Sequence, residues 1–238
     1  MTVPASDRLL RFTRRAYHAV RSILRQMSWS LRRGLAPAER RYSYQQPAIR
    51  HRFRPGESVL DIGSGGDPFP HATVLADRYL EPSRHRAAEF VSEHKPVVIC
   101  DISAMPFREK TFDYVVCSHV LEHVDQPMAA CRELQRVGRA GFIETPVLMK
   151  DALFSWAKGM HAWHVVGIGD RLVFFQYDTR TAEGVRSTLW HDMIFSPVYH
   201  PLQRVFNDNQ DLFNVLFEWS GSFRVTVFRA GGDSESDA

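Results

Sequence analysis

Residues Val59 to Pro70 read Val-Leu-Asp-Ile-Gly-Ser-Gly-Gly-Asp-Pro-Phe-Pro, and no other stretch restricts the fold of this 238-residue chain as strongly. A short apolar run carries one carboxylate, Asp61, and glycines come directly after it. Glycine accepts backbone angles that other residues avoid, so the chain can turn sharply and pass close to a ligand. A buried strand opening at its carboxyl end into such a turn is how open parallel sheets hold nucleotide-type ligands. A Gly-rich turn alone says little. Its meaning depends on the residues downstream.

From Thr73 onward the chain is a series of short β-rich runs, each closed by a polar residue. With the first run they read as strands at Ser58–Ile62, Thr73–Asp77, Pro96–Asp101, Phe112–Ser118 and Ala140–Glu144. Pro127–Val137 reads as a helix, with Met128, Cys131, Leu134 and Gln135 marking one face. The connection between the first two strands contains Pro68 and Pro70 and is shorter than the dozen or so residues of an ordinary crossover. Any helix there is reduced to about a turn. Strands alternating with connections predict a parallel sheet covered on both faces.

After Pro146 the regularity breaks. His164–Gly167 and Leu172–Tyr177, joined by Gly-Ile-Gly-Asp, predict a hairpin, and Val215–Trp219 with Phe223–Phe228 predict a second across Ser-Gly-Ser. Residues 147 to about 212 read as an insertion before the last two strands of the sheet. Residues 230–238, Ala-Gly-Gly-Asp-Ser-Glu-Ser-Asp-Ala, read as a disordered acidic tail. Residues 51–229 then form the main domain.

Residues 1–50 are different in kind. Before residue 55 thirteen arginines face only Asp7 and Glu39, although the whole chain has a formal net charge of just +3. Leu9, Phe12, Ala16, Val20, Ile23, Leu24, Met27 and Leu31 recur near helical spacing between those arginines. One or two basic amphipathic helices fit residues 7–33. They would pack on the main domain or a second subunit, giving a homodimer, or lie against anionic lipid as a peripheral membrane contact. No run reaches the roughly 20 apolar residues of a membrane span. Cys100, Cys117 and Cys131 lack metal-ligand spacing, and Cys100 and Cys117 in apolar runs read as buried reduced thiols, which predicts a cytoplasmic protein.

Four strand ends line up: Asp61 with its glycines, Asp77, Asp101, and Ser118-His119. A single acid after a strand is usually a helix cap. Three of them with a glycine turn point to one ligand, with Asp77 accepting from ribose hydroxyls and Asp101 from an exocyclic amine of a base.

Asp61–Pro70, Asp101-Ile-Ser-Ala-Met-Pro-Phe107, Phe112-Asp-Tyr-Val-Val116 and His119-Val-Leu-Glu-His-Val124 together resemble the class I S-adenosylmethionine-dependent methyltransferases, more narrowly the methyltransferase 11 type. The resemblance covers about residues 56–146. It implies an α/β, Rossmann-like, seven-stranded and mostly parallel sheet, with the amino-terminal helical extension and a substrate-binding insertion. It also implies S-adenosylmethionine as cofactor and S-adenosylhomocysteine as product. Carried over residue by residue, Asp61, Gly63, Ser64 and Gly65 form the methionine-side loop. Asp77 holds the ribose, Asp101 and Ile102 form the adenine pocket, and Ser118 lies next to the methionine portion. One departure stands out: the last glycine of the usual pattern falls on Asp67, which reads as a cap, a substrate contact or a metal ligand.

Methyl transfer from a sulfonium is an in-line displacement, and much of its rate comes from alignment. The Asn/Asp-Pro-Pro-aromatic loop typical of nucleic-acid N-methylation is replaced by Cys-Ser-His-Val, which counts against nucleic acid as substrate. A hydroxyl acceptor needs its proton removed by a general base or a metal. Glu144, His161, His164 and His119 are the candidate bases, and Trp156, Trp163 and Tyr177 are rings that could stack on a sugar. A sugar or oligosaccharide hydroxyl, as in a bacterial polysaccharide O-methyltransferase subgroup, is the leading expectation. A lipid-like or quinone-like small molecule is the alternative. A divalent metal using Asp67 or Glu144 is compatible with the residues but demanded by no spacing.

Overall fold

The computed structural model describes residues 52–82, 89–154, 160–178 and 200–237, together with Tyr17, Val20, Ile23, Leu24, Met27 and Val198. Strands β1 (Val59–Ile62), β2 (Val74–Asp77), β3 (Val97–Ile99), β4 (Phe112–Ser118) and β5 (Gly138–Pro146) run parallel, and β8 (Asn214–Ser220) closes the sheet antiparallel to β5. The order is β3-β2-β1-β4-β5-β8. β1 lies between β2 and β4, so the chain reverses its direction of travel across the sheet there. That is the switch point at which open α/β sheets bind ligands.

The five strands expected from the pattern are present, with ends moved by a few residues. The β1–β2 connection, residues 63–73, contains no helix at all. Its two prolines and the turn around Phe69 leave no room for one. Helix α1 (Pro127–Val137) begins with proline at its first turn, where the missing N–H costs nothing, and ends as the Gly138 N–H returns to the Leu134 carbonyl. Its buried stripe is Met128, Cys131, Leu134 and Val137, while Gln135 is half-exposed and its Oε1 accepts from the Phe223 N–H.

The carboxyl-terminal third departs from expectation. β6 (Trp163–Ile168) and β7 (Arg171–Gln176) do form the hairpin. β8 and β9 (Arg224–Phe228), however, do not pair with each other. β9 leaves the main sheet and lies parallel to β7, and β10 (Ser234–Ser236) pairs antiparallel with β9. The main sheet therefore has six strands among the described residues rather than seven, and a second sheet runs β10-β9-β7-β6. The reason is register and burial: Val225 and Val227 are both 0% exposed and fill the space beneath β7 and α1. The residues expected to form a disordered tail are held as a strand, with Arg132 binding Asp237 at 2.9 Å and Arg171 reaching Ser236 at 3.1 Å.

Side chains alternate across the main sheet and build two cores. Leu60, Ile62, Val115, Cys117 and Ile143 meet α1 and the second sheet through Leu134, Val165, Leu172, Phe174 and Val227. Val59, Leu75, Tyr114, Val116 and Phe142 face the other way, against Phe53 and Phe69. After β5 come α2 (Leu148–Phe154) and, before β8, α3 (Pro201–Asp208), whose start is capped by His200 and Gln203. No helix among the described residues is long and apolar enough to cross a membrane. Of the amino-terminal extension, Tyr17, Val20, Ile23, Leu24 and Met27 are helical and exposed, and the rest lies outside the described residues.

Candidate active site

The strand ends at the switch point carry the first half of the site. Gly63 and Gly65 both have positive φ, +76° and +56°. A β-carbon added to Gly63 would lie 2.2 Å from the Val120 side chain, so this turn runs directly against the segment after β4. Asp61 is fully buried and accepts from the Phe69 N–H at 2.7 Å, which folds the Pro68–Pro70 corner back over β1. Asp67 lies within that turn, its N–H bonded to the Ser64 carbonyl at 3.3 Å. Asp77 accepts from Gly65 N–H through one oxygen and from Tyr79 N–H through the other, both at 3.0 Å. Asp101 accepts from Ser103 N–H at 2.8 Å and pairs with Arg78 at 3.2 Å, while Ile102 is buried in the core. Ser64 Oγ is buried with no hydrogen-bond partner among the described residues. Such an atom is rare without a ligand or water to satisfy it.

The second half is a buried ionisable network beyond β4 and β5. Ser118 donates to Glu144 at 2.9 Å, and His119 N–H donates to the Glu144 carbonyl at 2.8 Å. His119 has φ +57°, an uncommon backbone state for a residue with a side chain. It stands between two buried carboxylates: Nδ1 is 3.1 Å from Glu122 Oε1 and Nε2 is 3.7 Å from Glu144 Oε1. The 3₁₀ turn Leu121–His123 supplies Glu122 and His123. The insertion docks onto it through an Ala162 N–H to Glu122 carbonyl bond of 2.7 Å.

That contact brings in a third group. His161 Nδ1 is 2.8 Å from Asp151 Oδ1, and the Tyr177 hydroxyl donates to Asp151 Oδ2 at 2.9 Å. Burial, then the Asp151 charge, raises the Tyr177 pKa, so its proton stays in place. Lys150 donates to Asn214 at 2.6 Å. Burial lowers its pKa, opposed by the charges of Glu144, Glu122 and Asp151.

The four candidate bases thus separate. Glu144 and His119 are together, and His161 joins them through Glu122 and His123, its ring 4.6 Å from that of His123. His164 stands apart, stacked on Phe175, with Nδ1 buried and unpartnered among the described residues. Trp163 is 1% exposed, its Nε1 bonded to the Val124 carbonyl at 2.6 Å, so it is core rather than a sugar platform. Tyr177 is tied to Asp151, and Trp156 lies outside the described residues. Glu122, Lys150 and Asp151 did not stand out in the sequence. A Lys-Asp pair on a short helix looks like a solvated face, and nothing local says that both are buried.

Comparison with known proteins covers the first half of the site and the His119–His123 part of the second. Residues 60–142 match the family model described as a methyltransferase domain. This segment is an S-adenosylmethionine-dependent methyltransferase domain, with S-adenosylmethionine as its cofactor. The ubiquinone/menaquinone biosynthesis C-methyltransferase UbiE of Ruegeria sp. (strain TM1040) is 31% identical over 143 residues, 53% of this chain and 57% of that protein. An uncharacterized protein, MJ0638 of Methanocaldococcus jannaschii, is 33% identical over 97 residues, 40% of this chain and 42% of its own length. The matches span about half the length of these curated relatives. Among solved structures, the putative methyltransferase in complex with the Haloferax volcanii Trm112 activator has a TM-score of 0.48 at 12% identity, covering 82% of this chain and 95% of that one. A putative methyltransferase from Bacillus halodurans has a TM-score of 0.41 at 13% identity, covering 76% and 98%.

Proposed function

We propose that the whole chain transfers the methyl group of S-adenosylmethionine to a small acceptor whose O–H must be ionised, a phenol or hydroquinone being favoured. The observation that carries this is His119, held in a left-handed backbone state between the buried carboxylates of Glu122 and Glu144. An imidazole so placed can take a proton and have its positive charge stabilised. The acceptor proton passes to the imidazole as the nucleophilic carbon or oxygen bonds to the methyl. The S–CH₃ bond breaks and its electron pair stays on sulfur, turning the sulfonium into a neutral thioether.

The turn Gly63–Gly65, Asp77, Asp101 and Ser118 would hold the cofactor. Its fit rests on the buried Ser64 Oγ, which has no hydrogen-bond partner among the described residues. Asp61 serves the fold of the loop. The relative's name, a quinone-pathway C-methyltransferase, favours an aromatic hydroxyl over a sugar. The burial of Trp163 removes a principal support for the glycan reading. The exposed helical residues Val20, Ile23, Leu24 and Met27 suit an acceptor drawn from a lipid surface.

Labelled S-adenosylmethionine, offered with phenol, hydroquinone, glycan and lipid fractions, tests the class of acceptor. Label in a hydroquinone or phenol supports the reading, and label confined to glycan overturns its acceptor. Glu144→Gln and His119→Asn are expected to lower turnover while leaving S-adenosylhomocysteine binding, measured by calorimetry, in place. Full activity of both variants under chemistry-limited conditions would discard the base.

A further inference from the structure

Among the described residues, three carboxylates and one ammonium are buried together in this network. Glu122, Glu144 and Asp151 are each at most 1% exposed, and Lys150 is 5% exposed. Buried carboxylates need compensation by cations or donors. Within this group Glu122, His123 and His161 each offer a donor atom, all within 4.8 Å of one another. Glu122 comes from the turn after β4 and His161 from the insertion, and the Ala162-to-Glu122 backbone bond fixes one against the other.

The two imidazoles are set in a particular way. His161 Nδ1 faces the Asp151 carboxylate at 2.8 Å, and His123 Nδ1 faces the Met160 carbonyl at 2.8 Å. Each acceptor draws the ring proton to Nδ1 and presents Nε2 as the electron-pair donor. This is the support that metal-ligating histidines ordinarily receive from a carboxylate or a backbone carbonyl. The rings meet edge to face at 4.6 Å, and His123 Nε2 is 4.0 Å from Glu122 Oε1. The other carboxylate oxygen, Glu122 Oε2, is buried and has no hydrogen-bond partner among the described residues.

We infer that Glu122, His123 and His161 form a binding site for a divalent transition-metal ion, with zinc the best match. Two imidazoles and one carboxylate are a zinc ligand set that leaves a fourth position open for water or substrate. Donors around tetrahedral zinc lie roughly 3.3 Å apart, so the three side chains must close by about 1 Å. Asp151 and the Met160 carbonyl act as positioning groups. The ion offsets the buried negative charge and, resting on the acceptor chemistry above, offers an oxygen acceptor a Lewis acid beside His119. Neither Asp67 nor Glu144 belongs to the ligand set.

The test uses the untagged full chain after chelator treatment. Calorimetric titration with Zn²⁺ alone is expected to show one equivalent bound. Co²⁺ is expected to give visible ligand-field bands that saturate at one equivalent. Glu122→Gln, His123→Gln and His161→Gln should each weaken binding at least about 10-fold, and Asp151→Asn about 10–100-fold through loss of ring positioning. His71→Gln should change nothing. The proposal is overturned if the wild type binds no stoichiometric metal, or if folded His161→Gln and Glu122→Gln bind Zn²⁺ as tightly as it does. Should the variants not fold, the wild-type Co²⁺ spectrum decides: saturating bands support the site and their absence overturns it. S-adenosylhomocysteine binding on the same samples keeps the two readings separate. Cofactor binding without metal binding removes the metal alone.

Discussion

The two halves of the site are built on opposite principles. On the proposed cofactor side, backbone does the work: glycines at positive φ pass close to neighbouring segments, and Asp61, Asp77 and Asp101 each bind the N–H of a residue two to twelve positions away in sequence. On the proposed acceptor side, side chains do it. Glu122, Glu144, Asp151 and His161 come from four separate segments and meet Ser118, His119 and Tyr177 inside the protein. The first half is a local fold of the chain around its acids. The second is completed only once the insertion has docked. Damage to the first should therefore appear in cofactor affinity, and damage to the second in stability and turnover.

Asp151→Ala tests that division most severely. It removes the shared partner of His161 and Tyr177 at a position 0% exposed. Losing one member of such a buried group costs about 3–5 kcal/mol. Urea denaturation should show a large fall in midpoint, whereas S-adenosylhomocysteine affinity in the folded fraction should be unchanged. A matching loss of affinity would mean that the halves are one unit.

Gly63→Ala is the converse. Its φ of +76° costs a residue with a β-carbon about 1–2 kcal/mol, and the 2.2 Å approach to Val120 adds about 1–3 kcal/mol of overpacking. Because Val120 adjoins His119, cofactor binding and turnover should both fall. Retained affinity by calorimetry would show that the turn yields without moving its ligand groups. Asp101→Asn sharpens the same point at smaller scale. Its fold should hold, and S-adenosylhomocysteine should bind about 10-fold more weakly, or about 1.4 kcal/mol.

The same contrast explains how much could be read from residues alone. Strands β1 to β5, helix α1 and the strand-end acids come from short-range pattern: apolar runs, a glycine turn, a proline that opens a helix. Asp77 and Asp101 lie at the strand ends, where the pattern puts them. The path of β9 was not legible, because Ser-Gly-Ser between two β-rich runs signals a hairpin equally well whether or not the runs share a sheet. The deciding factor is the burial of Val225 and Val227 against β7 and α1, a long-range effect. Asp151 and Tyr177 were hidden for the same reason. Their chemistry depends on a contact across 26 residues of sequence, and no local spacing encodes it.

His164 gives the smallest and most specific check. It lies three residues after His161, stacked on Phe175 and 6.5 Å from the Tyr177 ring. Burial holds its pKa below the ordinary histidine value, against the opposing charge of Asp151. The unfolded chain then binds a proton near pH 6.5 that the folded chain refuses. Stability is thus unaffected by this group above that pH and declines as the pH falls through it. His164→Phe keeps a ring against Phe175 and removes the titration. Its urea midpoint should match or exceed the wild type at neutral pH and fall less between pH 7 and about pH 5. Equal slopes for the two chains would show that His164 is not part of the acid sensitivity. A loss of turnover at neutral pH with stability intact would return it to the catalytic half, beside His119.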